Sequence, residues 1–158
     1  MKIVVTYGVG EGLTKIAAFD HALCNAGIGN YNLIKISSIV PKNAEIVVQK
    51  LNLNHTEIGY KLYVVLANSI EDVAGKEAWA GLAWMRTESN GHGVFVEQAA
   101  STRKKCIALI KKSLRSVAQY RLEKHGEIHT KLCGMKCKKD PVCAVVAAVY
   151  ESECWREN

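Results

Sequence analysis

Two prolines, Pro41 and Pro141, are all that 158 residues contain, and no tract rich in serine, glycine or proline interrupts the chain. With no linker, repeat or low-complexity stretch, nothing marks the start of a second domain. No apolar run approaches the roughly 20 residues of a membrane span, so no membrane partner is expected. The opening Met1-Lys2-Ile3-Val4-Val5-Thr6-Tyr7 is too short an apolar stretch for a secretion signal and shows no clear cleavage site. A cytoplasmic location is the expectation. Metal-ligand spacing is missing as well. Cys133, Cys137 and Cys143 are separated by three and five residues, and no second tight pair accompanies them. Zinc sites favour C-x2-C-like pairs, often with histidine partners, so no metal is expected. The six cysteines are read as free thiols in a reducing compartment.

What the chain does have is the composition of one globular domain, 49% hydrophobic and 23% charged. Its net charge of +6 is concentrated near Arg103-Lys104-Lys105, Lys111-Lys112 and Arg115, with a further group at Lys136-Cys137-Lys138-Lys139. The first three groups interleave with Cys106, Ile107, Leu109, Ile110, Leu114 and Val117, the pattern of an amphipathic helix with a wet basic face. No aromatic-rich binding motif accompanies it, so it is read as a solvated face and no nucleic-acid partner is expected.

Residues 3–7 read as a strand, and Gly8-Val9-Gly10-Glu11-Gly12 as a turn. That turn lacks the Lys-Ser/Thr ending of a phosphate-binding loop. A helix is predicted over 15–26, capped by Thr14 and stopped by Gly27. Strands are predicted over 31–36, 46–48, 60–67, 78–87 and 94–99, a long helix over 101–124, then strands over 127–133 and 142–150. The last is almost continuously apolar, as in a strand buried on both faces. The fold class is α+β, with helices covering sheet faces.

Three features look out of place. Asp20 falls at the edge of the apolar stripe Ile16, Phe19, Leu23 and Ala26. There a carboxylate needs either a structural partner or a cationic ligand such as a guanidinium, which binds bidentately. Strand alternation puts Glu97 on the face of Phe95 and Ala99. Desolvation there would favour the protonated acid, as suits a proton donor; a strand-end carboxylate reaching water is the alternative. Ser37-Ser38 follows the apolar strand as a strand-to-loop junction. If the strand persists, Asn32, Ile34, Ile36 and Ser38 share one face.

The stretch from Ala18 to Pro41 gives that junction a meaning. It runs Phe19-Asp20, Ala22-Leu23, Ala26-Gly27-Ile28-Gly29-Asn30, Asn32-Leu33-Ile34 and Ile36-Ser37-Ser38-Ile39, ending at Pro41. It closely resembles the core pattern F-D-x-A-L-x-x-A-G-I-G-N-x-N-L-I-x-I-S-S-I-x-P of the pyruvoyl-dependent arginine decarboxylases, with every fixed position matched. The resemblance implies an αββα four-layer sandwich, a single domain that assembles as a homotrimer or a pair of trimers. It implies self-cleavage between Ser37 and Ser38 into a β chain, residues 1–37, and an α chain, residues 38–158. Ser38 then becomes a covalent pyruvoyl group that condenses with the amine of L-arginine and yields agmatine and carbon dioxide, without pyridoxal phosphate.

By the same resemblance Asn32 serves self-processing, Glu97 protonates the product, and Asp20 receives the guanidinium. Gly29, Tyr31, Ser37 and Ile39 line the substrate site, and Ile16 stands at an apolar pocket position. Tyr31 stands where relatives often have valine, and Thr14-Lys15 replaces their Thr-Pro. A different basic amino acid as substrate, or a non-catalytic paralogue subunit, are the alternatives.

Overall fold

The computed structural model describes residues 1–88, 91–121 and 124–156. Its elements run in the order β1 (Lys2–Glu11), α1 (Lys15–Asn25), β2 (Asn32–Lys35), β3 (Ile39–Val40), β4 (Glu45–Val48) and β5 (Lys61–Glu71). They continue with β6 (Glu77–Arg86), β7 (Gly93–Ala100), α2 (Arg103–Tyr120), β8 (His129–Lys136) and β9 (Val142–Glu153). Together they make a single domain of mixed α+β type. One sheet has the order β2-β5-β9-β1-β4, the other β3-β7-β6-β8.

The apolar residues sort into three clusters. The largest lies where the sheets face each other and includes Ile3, Val5, Val65, Leu82, Trp84, Phe95 and Val146. A second, with Ala18, Ala22, Leu23, Val64 and Val145, joins α1 to the first sheet. A third, with Met85, Val96, Cys106, Ile110 and Leu114, joins α2 to the second. Strand β9 feeds two of them by alternation: Val142, Ala144, Val146 and Ala148 face the other sheet, while Cys143, Val145 and Ala147 face α1. That is the expected strand buried on both faces.

Helix α1 begins and ends as its sequence predicts. The Thr14 side chain accepts the Ala17 N–H at 3.2 Å. Gly27 adopts φ +78°, and the Ile28 N–H returns to the Leu23 carbonyl at 3.0 Å, closing a Schellman end. Inside the domain, the buried Thr6 hydroxyl donates to the Ala26 carbonyl at 2.6 Å and ties that end to β1. Helix α2 stops at Tyr120, short of the expected 124, and residues 122–123 lie outside the described residues. Its Lys104, Lys105, Lys111, Lys112 and Arg115 are all exposed, as a solvated face requires.

The glycine run near residue 10 is not a turn. Strand β1 continues through it to Glu11, pairing with β9 as far as Glu11↔Val142. The glycines are there because α1 lies on them. A Cβ added at Gly8 would stand 2.2 Å from the Ala22 carbonyl oxygen, and one at Gly10 would stand 2.4 Å from the Ala22 nitrogen. Both obstacles are backbone, so no side-chain rotation relieves them. Gly10→Ala is therefore expected to push α1 outward at a cost of roughly 1–3 kcal/mol, the usual price of overpacking. Thermal unfolding of the full-length protein should show Tm falling by several degrees.

The sequence cluster Cys133, Cys137 and Cys143 is divided by the same layering. Cys133 and Cys137 sit with the core between the sheets, and Cys143 faces α1. Burial pushes the Cys133 thiol up to about 11 and the Cys143 thiol up to about 12. The Cys133 Sγ donates to the Val145 carbonyl at 3.1 Å. All six cysteines are free thiols.

Candidate active site

Between β2 and β3 the chain leaves one sheet and joins the other, and Ser37-Ser38 is the crossing. On the near side the Ile36 N–H donates to the Val64 carbonyl at 3.0 Å, the last tie to β5. On the far side the Phe95 N–H donates to the Ser38 carbonyl at 2.8 Å, and β3 pairs antiparallel with β7 through Ile39↔Val94 and Val40↔Gly93. The peptide bond between the two serines thus spans two fixed anchors. Inside the crossing, the Ile39 N–H donates to the Ser37 carbonyl at 2.8 Å.

The Ser38 hydroxyl reaches Glu97. Its Oγ donates to the carboxylate, 2.9 Å from Oε2 and 3.1 Å from Oε1. Strand β7 sets this up by alternation: Phe95 turns into the core between the sheets, and Glu97 follows on the same face at its exposed rim. The expected face is right, but the expected desolvation is not met in the single chain, where Glu97 is exposed. A hydroxyl held on a carboxylate, beside a carbonyl that already accepts an N–H, pairs a nucleophile with a base.

Tyr150 completes the group. Its hydroxyl donates to the Ile39 carbonyl at 2.8 Å, and its ring meets Phe95 edge-on, with centroids 6.3 Å apart. Burial, reinforced by the charge of Glu97, pushes its hydroxyl up to about 12, so it stays protonated and donates at neutral pH.

Asn32 is placed elsewhere. Strand β2 ends at Lys35 instead of continuing to Ser38, so the expected shared face does not form. The Asn32 Nδ2 donates to the Gly59 carbonyl at 2.6 Å. Its neighbour Tyr31 donates from its hydroxyl to Glu57 Oε2 at 2.7 Å, and burial with that bond pushes it up to about 12. Gly29 packs on Cys24, whose Sγ would stand 2.6 Å from an added Cβ. Tyr31 and Asn32 therefore lie beside the 54–59 loop, and Gly29 lies against α1.

Asp20 also departs from expectation. It is exposed on α1, and among the described residues its carboxylate has no hydrogen bond or ion pair. In water a carboxylate has no burial cost to offset, so it needs no structural partner. Ile16, one turn earlier, is 71% exposed and lines a cavity of about 380 Å³ with Lys15, Phe19, Asn68 and Ile70. Asn68 also lines a cavity of about 190 Å³ that contains Glu97. The two hollows share that β5 residue in their lining. Lys15 is held by a 2.9 Å ion pair with Asp72.

A family model described as pyruvoyl-dependent arginine decarboxylase matches residues 2–154. The chain belongs to that family. A pyruvoyl-dependent arginine decarboxylase of Pyrococcus abyssi is 33% identical over 149 residues, which is 94% of this chain and 93% of the relative. One from Methanothermobacter thermautotrophicus is 40% identical over 103 residues, 65% of this chain and 64% of the relative. A solved pyruvoyl-dependent histidine decarboxylase aligns with TM-score 0.45 at 10% identity, over 58% of this chain and 51% of its own, too partial a likeness to carry weight. Membership brings dependence on a covalent pyruvoyl group, and in this family member Ser38 is the serine held on a carboxylate at a fixed crossing.

Two residues near this site carry no signal in the sequence of this pyruvoyl-dependent chain, Tyr150 beside Ile39 and Asn68 between the two hollows. Each stands at the end of an apolar run, Tyr150 after 144–149 and Asn68 after 62–67, where a polar residue is unremarkable. Among the described residues no group of three or more His, Cys, Asp and Glu is placed to hold a metal ion. No helix among them is long and apolar enough to cross a membrane.

Proposed function

We propose that this chain decarboxylates L-arginine to agmatine after cutting itself between Ser37 and Ser38. The observation that carries this reading is the Ser38 hydroxyl on the Glu97 carboxylate, next to a Ser37 carbonyl that already accepts the Ile39 N–H. Attack by Ser38 Oγ forms a bond to the Ser37 carbonyl carbon and breaks the peptide C–N bond. Glu97 takes the hydroxyl proton, and the freed Ser38 nitrogen receives it. The Ile39 N–H meets the negative charge that develops on the Ser37 oxygen. Loss of the Ser38 α-proton then breaks the Cβ–Oγ bond, leaving Ser37 as a carboxylate. Addition of water and release of ammonia complete residue 38 as a pyruvoyl group, so the cofactor comes from the chain itself.

The pyruvoyl group supplies a conjugated carbonyl that accepts the electrons left as carbon dioxide departs, the role pyridoxal phosphate plays elsewhere. Glu97, on the rim beside residue 38, returns a proton to the carbon that lost the carboxylate. Asp20 pairs with the guanidinium, Ile16 packs against the aliphatic part of the side chain, and Ser37 and Ile39 flank the reacting end. Asn32 serves processing, with Gly29 and Tyr31 lining the substrate.

Those last three do not touch Ser38 within one copy, which supports an assembly in which copies share each site. The packing order of α1, the two sheets and α2 supports an αββα four-layer sandwich, and we take the assembly to be a trimer or a pair of trimers. The buried free thiols suit the cytoplasm. The α2 face is read as solvated surface.

Incubation with a panel of amino acids tests the substrate: agmatine from arginine is expected, with histidine and lysine turned over far more slowly. Asp20→Ala is expected to raise the arginine KM roughly 10- to 100-fold, as loss of a charged hydrogen-bond partner does. Its self-cleavage should be unaffected. Unchanged arginine kinetics would reject the pocket assignment.

A further inference from the structure

Strand β9 carries an irregularity at Tyr150. Against β5 the register runs Val149↔Val64 and then Glu151↔Tyr63, so Tyr150 is an extra residue with no partner opposite. Such bulges bend a strand and re-aim one side chain, and they recur beside active sites. Here the re-aimed side chain crosses from the first sheet to the second. Its hydroxyl meets the Ile39 carbonyl at 2.8 Å and its ring meets Phe95. Phe95 in turn donates its N–H to the Ser38 carbonyl. Tyr150 therefore braces both residues that flank Ser38 in space, one through a hydrogen bond and one through ring contact.

We propose that Tyr150 is a positioning residue for self-cleavage, its hydroxyl holding the 37–39 segment so that the Ile39 N–H stays on the Ser37 carbonyl and Ser38 Oγ stays on Glu97. This rests on the reading of Ser38 as the cleaving residue. Attack requires the hydroxyl, the carbonyl carbon and the charge-stabilising N–H to be fixed together, and small misplacement costs rate steeply. The Ile39 peptide units supply both ends of the brace: the N–H points at the reacting carbonyl, and the C=O is held by Tyr150. Releasing the C=O frees the turn without touching a reacting atom.

Tyr150→Phe removes the hydroxyl and keeps the ring on Phe95. In freshly synthesised full-length protein, followed by intact mass over time, cleavage is expected to slow about five- to tenfold, the effect of one lost hydrogen bond. Once matured, the variant should show an arginine KM near that of wild type and a lower kcat. Placing 4-aminophenylalanine at 150 restores an N–H donor and should restore the cleavage rate, which a purely packing role would not require. If Tyr150→Phe does not fold, O-methyltyrosine at 150, which keeps the oxygen and loses the donor, takes its place as the slow variant. Cleavage of the donor-less variant at the wild-type rate would overturn the proposal, as would a 4-aminophenylalanine variant just as slow. Wild-type protein that never cleaves would instead sink the reading of Ser38 on which it rests.

Discussion

Ser38→Ala is expected to yield one unbroken chain of 158 residues with no arginine decarboxylase activity, where wild-type protein is expected to yield two fragments. The variant removes the hydroxyl that lies on Glu97 while leaving the crossing anchored through Val64 and Phe95. Fold and assembly should therefore survive, and the loss belongs to chemistry. In wild type the larger fragment should be lighter than a serine-started peptide by one ammonia, because residue 38 has exchanged its amine for a ketone. Intact mass under denaturing conditions reads both results at once. Normal cleavage in the alanine variant would remove the mechanism.

Glu97→Gln carries the second large effect. The amide keeps the size and can still bond to Ser38 Oγ, but it neither takes nor gives a proton at neutral pH. General acid–base groups contribute roughly 10²- to 10⁴-fold, and kcat for arginine should fall within that range with a much smaller change in KM. Because the uncleaved chain already holds Ser38 Oγ on this carboxylate, slower cleavage is expected too. A time course by intact mass separates the two losses. A variant that cleaves slowly, once matured, must still be slow with arginine. Wild-type kcat in fully matured Glu97→Gln would reject its role as proton donor.

Local chemistry made much of this legible from sequence. Thr14 and Gly27 bracket α1 because capping depends on a few neighbouring residues. The face of Glu97 was readable because alternation along β7 needs no partner strand. The errors came from pairings between distant residues. The glycines at 8 and 10 look like turn residues until α1 is seen resting on them. Asn32 and Ser38 share a parity that would matter in one strand, but the chain changes sheets between them. Tyr150 is invisible for the same reason, since an extra residue in β9 exists only relative to β5. For the candidate site, motif resemblance pointed to Ser38 and Glu97, which the fold brings within hydrogen-bond distance, while the contact of Tyr150 with Ile39 is visible only in the fold.

The change of sheet at 36–38 also bears on what a cut between Ser37 and Ser38 would leave behind. In the segment that ends at Ser37, β1 is flanked on both sides by strands from beyond the cut, β9 and β4, and β2 remains zipped to β5. The segment that starts at residue 38 keeps β3 stitched to β7. A cut between Ser37 and Ser38 would therefore leave two interleaved pieces that share no covalent bond yet cannot slide apart without dismantling a sheet, and they are expected to copurify as one body until a denaturant separates them.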